Sequence, residues 1–279
     1  MMQGKLRKMT TELSDTVHYR LPLVQKDNVS TDYVDMNNLI GKKITLRYEN
    51  EINCISCGVK TKKSYSQGHC YMCMKTLPEC DMCIMKPETC HYAEGTCRDS
   101  AWADDHCMQK HFVYLANSSG IKVGITRGTQ VPTRWMDQGA VQALSIFEVQ
   151  DRLMSGLLEV IIKKHVSDRT DWRKMLKGVI EEIDLVKYRD ELMQACADEI
   201  QLLQQQHGEQ ALSALSESDL VDINYPVLEY PEKIKSFNFD KTPEITGVLK
   251  GIKGQYLILD TGVLNIRKFT GYNVTLEHD

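Results

Sequence analysis

Residues 111–127 read His111-Phe112-Val113-Tyr114-Leu115-Ala116-Asn117-Ser118-Ser119-Gly120-Ile121-Lys122-Val123-Gly124-Ile125-Thr126-Arg127. Phe112–Ala116 and Ile121–Thr126 are short strand-forming runs. The four residues between them, Asn117 to Gly120, favour a tight turn, so the segment predicts an antiparallel hairpin. A short helix after Pro132 carries Arg134 and Trp135, and a further strand is expected near Ile146–Val149. Leu153, Met154, Leu157, Leu158, Ile161 and Ile162 then recur at threes and fours, the apolar stripe of an amphipathic helix. Together these elements predict a small α/β domain over residues 111–176.

Outward from the hairpin the chain divides into four more segments. Residues 177–222 form a helical segment. Its first part, 177–206, reads as one long helix in which Ile180, Ile183, Val186, Met193, Cys196, Ile200 and Leu203 recur, with Gly208 as its stop. Residues 223–279 are β-rich, with runs at Gly247–Gly251, Tyr256–Leu259 and Val263–Ile266 and a turn at Asp260-Thr261-Gly262. They predict a small β-barrel or sheet, to which the alternating strands of residues 1–53 could add. Residues 54–110 are dense in Cys, Met, Lys and turn formers and lack periodicity, so they need metal to fold. The fold class expected is therefore α+β: cysteine-rich zinc-binding loops, the small α/β domain, a long helix and a C-terminal barrel or sheet.

Composition narrows the class. The chain has 279 residues, 42% hydrophobic and 26% charged, with 34 basic and 38 acidic side chains for a net charge of −4. That balance excludes a wholly disordered chain, and no apolar run reaches the ~20 residues a membrane-spanning helix needs. The basic start, Met1 to Lys8, is followed by no apolar stretch, so it does not read as a signal peptide. The expected location is the cytoplasm, with no membrane partner. Residues 54–178 carry a net +4 and residues 179–279 a net −9, so the middle of the chain is the candidate surface for a polyanion. Four thiolates on a zinc ion carry a net −2 that offsets the +4, and bulk charge neither supports nor excludes such a partner.

Nine of the ten cysteines fall between Cys54 and Cys107. In a reducing compartment they read as metal ligands rather than disulfides. Cys54-x₂-Cys57 and Cys70-x₂-Cys73 each supply one edge of a tetrahedral zinc site, and Gly58 and Gly68 suit the turns that aim the thiolates. A second set comprises Cys80, Cys83, Cys90, Cys97 and Cys107, with His91 and His106 beside it. Cys80, Cys83, Cys90 and Cys97 are the first choice for a second site, with Cys107 or His91 replacing one of the last two as the alternative. Two structural zinc ions are expected, and an iron–sulfur cluster is the competing occupant, because four thiolates suit it equally. Cys196, alone in the helical segment, reads as a small core residue. Lys60, Lys62 and Lys63 interleave with Tyr65 and Tyr71, either as the solvated face of a zinc loop or as a surface on which bases stack.

Phe112-Val113-Tyr114, Lys122-Val123-Gly124, Arg134-Trp135 and Leu157-Leu158-Glu159, in that order, resemble the motifs of the GIY-YIG nuclease superfamily over about residues 111–175. The resemblance implies that Tyr114 matches the tyrosine of the first motif, Arg134 the helix arginine and Glu159 the glutamate that holds a divalent metal, Mg or Mn. Lys122 stands where the second motif has a tyrosine, as in other branches with Lys-Ile-Gly, whose downstream helix ends near an acidic–Trp pair like Asp171-Trp172. The whole chain is also similar to an uncharacterised bacterial family known only as a domain of unknown function. Cys54-Ile55-Ser56-Cys57-Gly58, Cys80-Asp81-Met82-Cys83-Ile84, Asn117–Arg127 and Pro132–Trp135 carry that likeness.

Phosphodiester hydrolysis needs an activated water, a cation against developing charge and usually a carboxylate-held metal. Tyr114, His165 or a lysine of lowered pKa could handle the proton, Arg134 could grip a phosphate bidentately, and Glu159 could hold one metal ion. A divalent-metal-dependent endonuclease acting on DNA or RNA is thus one expectation. A non-catalytic, zinc-stabilised module that binds nucleic acid or protein is the other. The long helix at 177–206 offers a surface for pairing with a second copy.

Overall fold

The computed structural model describes residues 1–25 and 29–279. The strands in chain order are β1 (Met2–Leu6), β2 (Thr10–Glu12), β3 (His18–Val24), β4 (Thr31–Asp35), β5 (Lys43–Asn53), β6 (Lys60–Thr61), β7 (His111–Asn117), β8 (Ile121–Arg127), β9 (Gln142–Val149), β10 (Leu212–Ala214), β11 (Val221–Asp222), β12 (Glu244–Lys253), β13 (Tyr256–Leu259), β14 (Gly262–Asn265) and β15 (Tyr272–His278). The helices are α1 (Tyr71–Thr76), α2 (Met82–Met85), α3 (Ser100–His106), α4 (Thr133–Asp137), α5 (Arg152–Ile162), α6 (Trp172–Leu176), α7 (Leu185–Ala195) and α8 (Ala197–His207). The class is α+β. Two compact units divide the chain: residues 1–75, 176–178 and 224–279, and residues 76–175 and 179–223.

The first unit is built on one antiparallel sheet in the order β14-β13-β12-β5-β15-β1-β3-β2, with β4 on β3 and β6 on β5. The C-terminal strands and the N-terminal ones therefore share a sheet: β15 lies between β1 and β5, pairing Met2 with Leu276 and Leu46 with Leu276 on its two sides. The alternation seen in the sequence accounts for this. Tyr19 and Leu21 on β3, and Ile44 and Leu46 on β5, are all at or below 1% exposure, and each such side chain contributes about 1.5–3 kcal/mol on burial.

The second unit is an antiparallel sheet, β10-β9-β7-β8 with β11 on β9, and helices pack against it. β7 and β8 are the hairpin read from the sequence, paired Asn117 with Ile121 outward to His111 with Arg127. Gly120 closes the turn at φ +125°, a conformation that glycine adopts without penalty. Val113, Leu115 and Val123 pack with Met154, Leu158 and Ile162 of α5 in one core. Asp151 caps α5, its carboxylate accepting from the Met154 N–H at 2.8 Å.

The single helix expected over 177–206 is instead two. Gly178 has φ +68° and is packed so closely that a Cβ would meet the Tyr230 ring at 2.4 Å, and Ile180 is 49% exposed. Helix begins only at α7, where the Asp184 carboxylate accepts from the Lys187 N–H, and it breaks at Cys196 (φ −100°, ψ 3°) before α8. The bend lets Leu185 and Leu192 on one helix, and Ile200 and Leu203 on the other, enter the same core as the hairpin, with Cys196 buried among them. Among the described residues no helix is long and apolar enough to cross a membrane.

Candidate functional site

Cys54 follows the last residue of β5. Its N–H donates to the Val59 carbonyl, and the Gly58 N–H donates back to the Cys54 carbonyl at 3.0 Å, folding the Cys54–Cys57 segment into a tight knuckle. Gly68 (φ +119°) turns the chain into the second pair. A Cβ there would meet Ile55 Cγ2 at 2.7 Å and Thr270 Cγ2 at 2.9 Å. α1 carries Cys73, whose N–H points at the Cys70 sulfur. The ligand atoms of Cys54, Cys57, Cys70 and Cys73 all lie within 4.8 Å of one another, and the Cys57 and Cys70 sulfurs are 3.8 Å apart. Four sulfurs bound about 2.3 Å from one zinc stand about 3.8 Å apart, so the geometry is compatible with structural zinc.

Electrostatics agree with that fit. Burial acts upward on the Cys54 thiol, but the backbone N–H groups of Cys57, Cys70 and Ser56 outweigh it and bring the thiol down to about 6. Burial and the neighbouring thiols hold Cys73 far above its ordinary value. One thiolate thus forms readily and opposes the rest, a repulsion that a divalent cation removes. Beside the site, Lys63 lies over the Tyr65 ring at 4.7 Å and Lys75 over Tyr71 at 5.4 Å, while Tyr65 and Tyr71 meet edge to face.

The second cysteine set is arranged differently. Cys83, Cys90, Cys97 and Cys107 line one cavity, and Cys80 is not among its lining residues. Burial pushes the Cys83 thiol up to about 11, helped by the charges of Asp81, Cys90, Cys107 and Cys97. A tighter trio, Asp81, Cys83 and His91, has its ligand atoms within 4.8 Å and could also hold an ion. Its Asp81 Oδ2 already faces Arg98 Nε at 2.7 Å and His91 Nε2 at 3.7 Å. His106, the other candidate beside these thiols, stacks on Trp102.

The hairpin register sets the remaining constellation. Tyr114 pairs with Gly124 and Lys122 with Ala116. Glycine is required at 124, because a Cβ would lie 2.6 Å from the Tyr114 hydroxyl. The Tyr114 ring packs edge to face on Trp135 of α4, and its hydroxyl donates to Gln138 Oε1 at 3.0 Å. Burial pushes the phenol up, the Arg134 guanidinium pulls it back, and Glu159 adds to the rise. Lys122, 4% exposed, is brought down to about 8 by burial and by the Arg134 charge, against the pull of Glu159 and Asp168. Burial raises the Glu159 carboxyl. Asp168 and Glu88 reinforce the rise, and Lys163 and Lys122 oppose it.

Tyr114, Lys122, Arg134 and Glu159 therefore act on one another electrostatically, from two strands and two helices. Glu159 makes no ion pair with Arg134 among the described residues. His165 does not join them; it sits exposed in the turn after α5. Glu88 approaches because Gly156 lets the Pro87–Thr89 turn lie directly on α5, where a Cβ would meet Glu88 N at 2.5 Å. Glu88, Asp168 and Gln138 were not foreseen from the sequence. Glu88 and Asp168 come from loops and carry no local signal. Gln138, four residues after Arg134, could have been found from helical spacing.

The chain is thus an α+β protein with a four-cysteine cluster that could hold a metal ion, and with Arg134 and Glu159 set around the buried Tyr114 and Lys122 of a β-hairpin. It belongs to the family described as Protein of unknown function (DUF2797), whose model matches residues 41–274. That span holds the nine clustered cysteines and Tyr114, Lys122, Arg134 and Glu159. No curated protein and no solved structure matches the chain.

Proposed function

We propose that the second unit binds a phosphodiester of DNA or RNA and hydrolyses it as a GIY-YIG-like, divalent-metal-dependent endonuclease. The observation that carries the reading is the mutual electrostatic contact of Tyr114, Lys122, Arg134 and Glu159 around the hairpin. The cysteine site of the first unit is a scaffold in this reading, since a closed four-thiolate shell leaves no position for water.

Each side chain has a task its environment suits. Arg134 grips the phosphate through parallel N–H bonds and offsets charge developing on it. Lys122, with its amine near 8, can take a proton from the attacking water as pH rises past about 8 and the amine becomes neutral. Tyr114, held protonated by burial, keeps its hydroxyl as a donor and fixes the orientation of the Arg134 helix through Gln138. Glu159 would hold Mg or Mn, with Asp168 and Glu88 adding negative potential. The repulsion of the Glu159 carboxylate by Asp168 and Glu88 fits a cation there, and one or two carboxylates suffice for magnesium. When bound, the metal supplies Lewis-acid polarisation of the phosphate.

The test is cleavage of labelled single- and double-stranded DNA and RNA with Mg or Mn by protein freed of contaminating nucleases. Cleavage that falls at least ~100-fold in Glu159→Ala and Arg134→Ala supports the proposal. No product with any substrate, or equal cleavage by Glu159→Ala, overturns it. A second reading, binding without cleavage, is favoured by the complete burial of Tyr114. It expects Arg134→Ala to weaken nucleic-acid binding in a protein that yields no product.

A further inference from the structure

Cys83, Cys90, Cys97 and Cys107 come from four places: α2, the end of the Pro87–Thr89 turn, the segment before α3 and the residue after it. They nevertheless line one cavity, and Pro78, Ile84, Trp102 and Ala103 supply apolar wall between them. Their sulfurs are not drawn together as those of the first site are. Among the described residues, the sets whose ligand atoms all lie within 4.8 Å are Cys54/Cys57/Cys70/Cys73 and Asp81/Cys83/His91. A single zinc needs every sulfur pair about 3.8 Å apart. Four thiols on a shared cavity at wider spacing match a larger occupant.

Charge supplies a second, independent observation. Arg152, at the start of α5, donates from Nη2 to the Ile84 carbonyl at 2.7 Å, and its backbone N–H donates to the Cys107 carbonyl at 2.9 Å. Its Nε is buried with no hydrogen-bond partner. The guanidinium lies within electrostatic reach of Cys107 and Cys83. A buried cation with an unused donor beside neutral thiols would be uncompensated. Beside metal-bound thiolates it is matched, because a four-iron cluster in its oxidised form, held by four thiolates, carries a net negative charge and accepts hydrogen bonds at sulfur. The rival trio must share its carboxylate with an ion pair, since Asp81 Oδ2 faces the Arg98 guanidinium at 2.7 Å.

We infer that Cys83, Cys90, Cys97 and Cys107 hold a four-iron, four-sulfide cluster, with Arg152 as its buried counter-charge and Cys80 outside the ligand set. Each thiol gives up its proton as its sulfur bonds one iron. The experiment is anaerobic reconstitution of the full chain with sulfide and equal amounts of ferrous and ferric iron, the valences that the oxidised cluster holds, followed by iron, acid-labile sulfide and zinc analysis and a visible spectrum.

The expected wild-type result is about four irons and as many sulfides per chain, a brown charge-transfer absorption, and about one zinc from the first site. Cys80→Ala and Cys196→Ala should keep the iron, whereas Cys83→Ala, Cys90→Ala, Cys97→Ala and Cys107→Ala should each lose most of it. Arg152→Gln should keep the thiols and shift the reduction of the cluster to a lower potential. The wild-type analysis decides the point even where a variant folds poorly. About two zinc ions and no iron overturns the inference, and so does iron loss in Cys80→Ala as complete as in Cys83→Ala.

Discussion

Replacing Lys122 with methionine isolates the cost of keeping an amine inside the hairpin sheet. Burial, and then the Arg134 charge, bring Lys122 from 10.5 to about 8, and Glu159 and Asp168 offset only part of that. Below pH 8 the residue is protonated in both folded and unfolded chains, so the full penalty is present at pH 7. Between about 8 and 10.5 the unfolded chain binds the extra proton, so the penalty is relieved and stability rises with pH across that window. At about 1.4 kcal/mol per pH unit, the gap corresponds to about 3 kcal/mol. Methionine keeps most of the apolar stem without the charge. It also deprives Glu159 of one of the two lysines that favour its ionised form, which returns part of the gain. The expected net is a second unit about 1–3 kcal/mol more stable at pH 7 in Lys122→Met, with the advantage shrinking as pH rises to 10. Trp102, Trp135 and Trp172 all lie in the second unit, so tryptophan fluorescence during urea unfolding follows that unit alone. A variant less stable than wild type at pH 7, or an advantage unchanged from pH 7 to pH 10, would refute the reasoning.

Three further outcomes are expected. Cys54→Ser should lower bound zinc by about one ion per chain and reduce the thermal midpoint of the first unit, read by metal analysis and calorimetry, because the knuckle N–H groups then face no thiolate. Gly124→Ala should destabilise the second unit by about 1–3 kcal/mol in urea unfolding, since its Cβ would sit 2.6 Å from both Cζ and the hydroxyl of Tyr114. His111 is buried, its Nδ1 on the Gln109 carbonyl, and burial takes it from 6.5 to about 4. Its unfolded form gains a proton first as pH falls, so the second unit should lose stability between about 6.5 and 4. That acid slope should flatten in His111→Gln when unfolding is followed against pH.

The parts of this molecule that a reader of the sequence reaches are those measured by a local ruler. In the hairpin the ruler is the turn: counting outward from Asn117 and Ile121 pairs Tyr114 with Gly124 and Lys122 with Ala116, so the glycine's purpose and the shared neighbourhood of Tyr114 and Lys122 follow from arithmetic. In the first cysteine cluster it is the two-residue gap within each cysteine pair, which fits one edge of a zinc tetrahedron, and the structure brings all four sulfurs within 4.8 Å of one another. The long helix shows the ruler failing. The apolar period runs on through Cys196, but period reports which face is apolar, not whether the axis stays straight, and the core takes both halves only if the chain bends there.

The second cysteine set has no ruler at all. Its gaps of six, six and nine residues between Cys83, Cys90, Cys97 and Cys107 are spanned by separate turns and a short helix, so the ligand set depends on where those turns come to rest. They rest on α5, through Gly156 and the Arg152 bonds to Ile84 and Cys107. The same helix carries Glu159. The cavity of thiols and the Glu159 member of the Tyr–Lys–Arg–Glu cluster therefore share one element only eleven residues long. Metal bound at the thiols would hold Arg152 at one end of α5 and, through the Pro87–Thr89 turn, the position of Glu88 against Glu159 at the other. Loss of that metal is expected to reach the cluster through this helix without any change in the cluster's own residues.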